Sequence, residues 1–139
     1  MTELKTRQTG ATATLGHRGF PHVVSATGGE LDIVTGPSQP GFNPVDLLYA
    51  SLAACLAMSA RIAATQMHVM DKVTNITAEV KGEKAHEGPS RVTRFDVRIT
   101  ITGDVDAETR LKIIHAAEEI CTVSNTLAGS PEFSIEAGD

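Results

Sequence analysis

The chain has 139 residues, 41% hydrophobic and 21% charged, the balance of one soluble domain able to bury a core without disulfide or metal staples. Its formal net charge of −5, with the basic residues scattered, argues against nucleic acid, and neither a membrane-spanning run nor a secretory leader is legible. A cytoplasmic protein is the expectation, in a compartment where a bond between two cysteines is more often transient and chemical than structural.

The first third reads as strands. "TRQTGATATLG", residues 6–16, alternates polar with small or apolar side chains (Ala11, Ala13, Leu15), the pattern of an edge or half-exposed strand. "HRGF" reads as a turn, and "PHVVSA" and "ELDIVT" as short strands joined at Thr27-Gly28-Gly29. "GPSQPG" breaks regular structure just before the long helix. That helix has a clear start: Asn43 suits the N-cap, Pro44 the first helical position, and Asp46 the positive end of the dipole. From Leu47 to Ala64 it is apolar nearly all round, as in a helix buried on most sides. A helix of about 25 residues would be roughly 37 Å long, more than a monomer this size wraps easily, so a dimer is predicted.

Two cleaner strands follow. "NITAEVKG" puts Ile76, Ala78 and Val80 on one face, and "RFDVRITITG" puts Phe95, Val97, Ile99 and Ile101 on one face. Each alternates as a sheet does with one side on a core and one in water. "EKAHEGPS" is the polar hairpin loop between them. A second helix opens at Asp104 or Asp106, carrying Leu111, Ile114, Ala117 and Cys121 at helical spacing. "TVSNTLAGSP" ends it, and "EFSIEA" reads as a last strand. Strands, helix, strands, helix, strand make one α+β domain over residues 1–139. With no Trp, one Tyr and four Phe, its core must come from Ala, Val, Ile and Leu.

The two cysteines, Cys55 and Cys121, carry the chemical question. Free cysteine often packs simply as a small hydrophobe. Metal binding has little support, since there is no C-x-x-C and no histidine at ligand spacing from either cysteine. Yet polar residues surround both. Ser51 and Ser59 stand four residues either side of Cys55; Glu118, Ser124 and Asn125 stand three or four from Cys121. Such groups tune a thiol's reactivity, and a carboxylate beside Cys121 would make it the poorer attacker. On the residues alone, inert core thiols and a redox pair both stay open.

"NPVDLLYASLAAC" and "CTVSN" together resemble the osmotically inducible protein C and organic hydroperoxide resistance (OsmC/Ohr) family. The first matches its N/S-P-x-E/D-L-L…A-x-x-A/G-C helix, the second its C-x-x-S-N motif, and the order of flanking elements matches across essentially the whole chain. The resemblance implies an OsmC-like fold, antiparallel sheets wrapped around a long buried central helix in an intertwined homodimer. It also implies a thiol-dependent peroxidase. Cys55 would attack an organic hydroperoxide and become a sulfenic acid, Cys121 would condense with it to a disulfide, and an external thiol would reduce the pair. No metal or other cofactor is called for.

The family's thiolate-organising Arg and Glu map imperfectly. Arg18 in "GHRG" is the nearest counterpart of the Arg, one position out of register and with His17 competing. Val45 holds the Glu position, and the nearest acid is Asp46. Asp46 and Cys55 are nine residues apart, about 900° around a straight helix, so they face opposite ways. Asp46 would act through a bend or on a partner subunit, or is simply a first-turn carboxylate. Thr122 stands where many relatives carry Pro. Histidines 22, 68, 86 and 115 read as surface residues, Arg61 as lying off the Cys55 face, and Tyr49 as packing. The competing reading is a non-catalytic dimer binding a small apolar or thiol-reactive ligand.

Overall fold

The computed structural model describes residues 5–138, which form two compact units, one up to Leu47 and one from Leu48. The α+β reading holds, with antiparallel sheets and helices in the expected order up to the second helix.

The N-terminal unit is a three-stranded antiparallel meander, β1 (Ala11–Thr14), β2 (His22–Ser25) and β3 (Glu30–Asp32), in that spatial order. Gly28, at φ +95°, supplies the left-handed backbone that turns β2 into β3, and the Ser25 hydroxyl accepts from the Gly29 N–H at 2.9 Å. Ile33 is buried and bridges to Phe42, drawing the ends of the Pro/Gly loop together.

His22 lies between two carboxylates of β3, with Nδ1 2.7 Å from Asp32 Oδ1 and Nε2 3.0 Å from Glu30 Oε1. Both ring nitrogens can donate only as imidazolium, so first Asp32 and then Glu30 raise its pKa above the usual 6.5. The raised value lies in the folded state. The stabilisation is therefore full below the ordinary histidine pKa and is lost as pH rises through the folded one. An NMR titration of the His22 ring should show a midpoint above that of an ordinary histidine, falling back in Asp32→Asn. A midpoint unmoved by that substitution would remove Asp32 as the cause.

The C-terminal unit is built on the β4 (Val73–Lys84) and β5 (Val92–Gly103) hairpin. Its register pairs Ile76 with Ile101, Ala78 with Ile99 and Val80 with Val97 on the apolar face. On the other face Glu79 meets Arg98, Lys81 meets Asp96 and Glu83 meets Arg94, opposite charges that discourage a register slip. Gly103 has φ +133°, and a Cβ there would strike the Lys72 carbonyl, so the strand end admits glycine alone without a backbone shift.

The long helix α1 (Pro44–Gln66) starts with a reciprocal capping box. Asn43 Oδ1 accepts from the Asp46 N–H at 2.7 Å, and Asp46 Oδ2 accepts from the Asn43 N–H at 3.0 Å. Helix α2 (Ala107–Ile120) is capped by Asp106, whose carboxylate accepts from the Thr109 N–H at 2.7 Å. A short helix α3 (Thr122–Ala128) follows directly.

The central packing is α1 on the hairpin and α2. Ala60, Ala63 and Ala64 of α1, Ile101 of β5, and Ile113 and Ala117 of α2 form one buried cluster. It is made of alanine and isoleucine, as the scarcity of aromatics required.

Four details differ from the sequence expectation. Helix α1, though apolar nearly all round, buries one face only within this chain; Met58 and Ile62 on the other are 57% and 44% exposed. In α2 Ala117 is buried as expected, but the other buried residue is Ile113, while Leu111 points outward at 57% exposure. Cys121 is not inside α2 but at its junction with α3. Finally, "EFSIEA" forms no strand among the described residues, and Phe133 and Ile135 stand 86% and 90% exposed. A strand needs a neighbour for its N–H and C=O groups, and no strand among the described residues pairs with that segment.

Candidate functional site

Cys55 stands midway along α1 with Leu52 and Leu56 beside it, and Cys121 is brought to it by the break between α2 and α3. At Cys121 the backbone is extended (φ −67°, ψ 109°), so one residue closes α2 and opens α3. Its N–H donates to the Ala117 carbonyl at 2.9 Å, and its carbonyl accepts from the Asn125 N–H at 3.0 Å. Its sulfur takes the N-cap role, accepting from the Ser124 N–H at 3.3 Å. Asn125 Nδ2 donates to the Glu119 carbonyl at 3.1 Å, tying α3 back to the end of α2. The "CTVSN" residues thus form a tight corner that fixes the Cys121 thiol at its bend.

That thiol is completely buried; Cys55 is half-buried, and both are free. Leu52 and Leu56, Ala78 and Val80 of β4, Phe95 and Ile99 of β5, and Val123 and Leu127 of α3 enclose the pair. The surroundings split the two acidities. For Cys55, burial works against the thiolate. It is outweighed by donors to the anion: the Cys121 thiol first, then the Val123 N–H, the Ser59 hydroxyl and the Thr122 N–H, so its pKa is lowered. For Cys121, burial and the neighbouring Cys55 raise the pKa beyond what the Ser124 N–H recovers. The thiolate is thus favoured at Cys55 and disfavoured at Cys121.

Asymmetry of this kind was expected from Glu118, but the cause lies in burial and the partner thiol. Glu118 instead lines an adjoining cavity of about 330 Å³, whose walls share Leu52, Leu56, Phe95, Ile99 and Leu127 with the thiol cluster. A volume of that order accommodates a small organic molecule. Of the two serines flanking Cys55, Ser51 is exposed and turns back onto the Leu48 carbonyl at 2.8 Å. Ser59 is buried at 3% exposure and belongs to the site. The i+4 spacing held that signal, but spacing alone gave the two serines equal weight.

A family model described as OsmC-like protein matches residues 36–136. The chain belongs to the OsmC-like family. No curated protein matches it. Among solved structures it is similar to an OsmC-like protein from Mycoplasma pneumoniae, with TM-score 0.74 and 22% identity over 90% of each chain. It is also similar to the organic hydroperoxide resistance protein OhrB of Bacillus subtilis, with TM-score 0.68 and 25% identity over 88% of this chain and 92% of that one. An organic hydroperoxide resistance protein from Elizabethkingia anophelis gives TM-score 0.71 and 24% identity over 90% and 91%. At these identities the likeness carries the fold.

Against the OsmC-like pattern, the other sequence candidates fall as follows. Asp46 has its carboxylate engaged in the capping box of α1. Arg18 is exposed in the turn between β1 and β2, in the N-terminal unit. Tyr49 packs edge-on to Phe95, with ring centroids 6.1 Å apart and planes at 80°, and its hydroxyl end lies against Gly82. Among the described residues no His, Cys, Asp and Glu group has the arrangement of a metal site.

Proposed function

We propose that this OsmC-like chain is a cytoplasmic, thiol-dependent peroxidase acting on organic hydroperoxides, with Cys55 peroxidatic and Cys121 resolving. The observation that carries the reading is the pair itself: a half-buried thiol of lowered pKa against a buried thiol of raised pKa, in an apolar enclosure. The Cys55 thiolate attacks the terminal peroxide oxygen and the O–O bond breaks. The alkoxide leaves, takes a proton and departs as the alcohol, leaving Cys55 as sulfenic acid. The Cys121 sulfur then attacks the sulfenic sulfur; its proton and the hydroxyl leave together as water, and the S–S bond forms. An external thiol returns both residues to the reduced state.

Arg18 is kept as the candidate cation for the thiolate. Asp46 has the lesser part, since Asn43 already holds its carboxylate. The family match runs from residue 36 through 136, taking in the C-terminal unit and the last stretch of the N-terminal one, and the single domain over residues 1–139 is part of the proposal. A homodimer is part of the proposal. Met58 and Ile62 on α1, and Phe133 and Ile135 in the C-terminal segment, are large apolar side chains that a second copy would cover.

The adjoining apolar cavity favours a second reading, a non-catalytic dimer that holds a small apolar or thiol-reactive ligand. One equivalent of cumene hydroperoxide, followed by intact mass and free-thiol counting, separates the two. The peroxidase loses a pair of hydrogens and both thiols, and recovers them with dithiothreitol over repeated cycles. Unchanged mass and two persistent thiols would end the peroxidase reading, and consumption stopping at one equivalent per site despite reductant would favour the binder.

A further inference from the structure

We propose that the Ser59 hydroxyl is a positioning group for the Cys55 sulfur, donating a hydrogen bond to the thiolate and holding the attacking atom in its reactive form. This rests on Cys55 being the attacking residue.

Ser59 is the buried polar side chain of the core among the described residues, at 3% exposure. A hydroxyl so placed costs stability unless something accepts or receives its proton. Serine and threonine in helices usually turn back onto a carbonyl three or four residues earlier. Ser51, Thr65 and Thr126 each do so, onto Leu48, Arg61 and Thr122. Ser59 has no such bond among the described residues. One turn back on its face stands the Cys55 side chain, and the Ser59 hydroxyl is among the donors that favour its anion.

Size alone does not explain the residue. Ala60, Ala63 and Ala64 fill the same buried face of α1, and alanine has the higher helix propensity. A hydroxyl replaces alanine only beside the thiol.

The donor matters because the side chains packed round the thiols are apolar. From β4 the enclosure receives Ala78 and Val80, from β5 Phe95 and Ile99, and from α3 Val123 and Leu127. The titratable groups beside this enclosure are Cys121, itself protonated at neutral pH, and Glu118 of α2 on the wall of the adjoining cavity, which as a carboxylate donates nothing to a thiolate. Backbone amides and two neutral side chains, Cys121 and Ser59, therefore carry the thiolate within this unit, and Ser59 is the member that substitution can remove without touching the redox pair.

The test is the pH profile of Cys55 alkylation by iodoacetamide, resolved by peptide mass, in the full-length protein, Ser59→Ala and Ser59→Thr. Ser59→Ala is expected to move the profile to higher pH, slowing reaction at neutral pH by about three- to tenfold, with the high-pH plateau unchanged. Ser59→Thr, which keeps the hydroxyl, should restore most of the neutral-pH rate. A Ser59→Ala profile superimposed on the wild type would overturn the proposal. So would a loss uniform across pH, which would mean access or packing, and so would a Ser59→Ala protein too unstable to profile, which would make the hydroxyl structural. Alkylation uses no peroxide. A shifted profile without peroxide turnover keeps Ser59 and sinks the peroxidase reading; turnover with an unshifted profile does the reverse.

Discussion

Peroxide turnover is expected to disappear in Cys55→Ser, by on the order of a thousandfold or more, because a serine hydroxyl held by the same donors is not ionised at neutral pH. Cys121 cannot substitute for it. Its thiol is completely buried, its pKa is raised, and its sulfur is engaged with the Ser124 N–H. The reverse substitution should behave differently. Cys121→Ser removes the resolving sulfur and leaves the attacking one, so one equivalent of peroxide should still be consumed and a sulfenic acid should accumulate on Cys55, trappable with dimedone. The Cys121 thiol is also the foremost donor to the Cys55 anion, a part the serine hydroxyl can keep, so that first oxidation should run at close to the wild-type rate. Stopped-flow peroxide consumption and mass spectrometry of the dimedone adduct read both effects. Full turnover in Cys55→Ser, or adduct on Cys121 instead of Cys55, would reverse the assigned roles.

The largest effect on stability is expected at Ile113. It is completely buried, among the largest side chains so enclosed, and the fully buried residues of its cluster are mostly alanines: Ala60, Ala63 and Ala64 of α1 and Ala117 of α2. Alanine neighbours have no rotamers with which to refill a hole. Ile113→Ala should therefore fall in the upper half of its class, costing about 3–4 kcal/mol against a typical total of 5–15 kcal/mol. The transition temperature should drop by roughly 10 °C. Leu111→Ala, two residues earlier on the exposed side of α2, is the comparison, with an expected change of about 0.5 kcal/mol or less. Urea unfolding of both variants decides it. Equal losses would mean that Leu111 is covered as well, and a concentration-dependent loss there would identify a second subunit as the cover.

That pair of residues shows why one helix was legible in part. Period and cap placed the start of α2 at Asp104 or Asp106, and the structure takes Asp106. Leu111 and Ile113 are both apolar, however, and the pattern of a 14-residue helix admits a core stripe through either. What chooses Ile113 is the place where α2 meets the alanine face of α1, a tertiary fact. The C-terminal segment failed for a related reason. The alternation in "EFSIEA" is a strand's, but a strand is half of a pair, and the sequence does not say which edge would receive it.

The site divides in the same way. Two motifs, "NPVDLLYASLAAC" and "CTVSN", sufficed for the family, because an N-cap, a small-residue helix and a Cys-x-x-Ser-Asn corner are local requirements written in consecutive residues. Several charged and polar candidates were less secure. Asp46 faces away from Cys55 on its own helix and caps its start instead, a geometry that helical spacing had already implied. Glu118 was the wrong cause for the acidity of Cys121. Burial and a second thiol 66 positions earlier are the operative ones, and neither is a property of its neighbours in sequence.

By itself, then, the sequence determined what depends on nearest neighbours along the chain: the helix caps, the alternating hairpin, the glycine turns and a core without large aromatics. The tertiary structure alone decided which apolar residues are inside and which of two equivalent serines meets the thiol. It alone decided that burial and mutual contact shift the acidities of Cys55 and Cys121 in opposite directions. Those outcomes rest on burial and on hydrogen bonds between segments distant in sequence, and neither exists until the chain has folded back on itself.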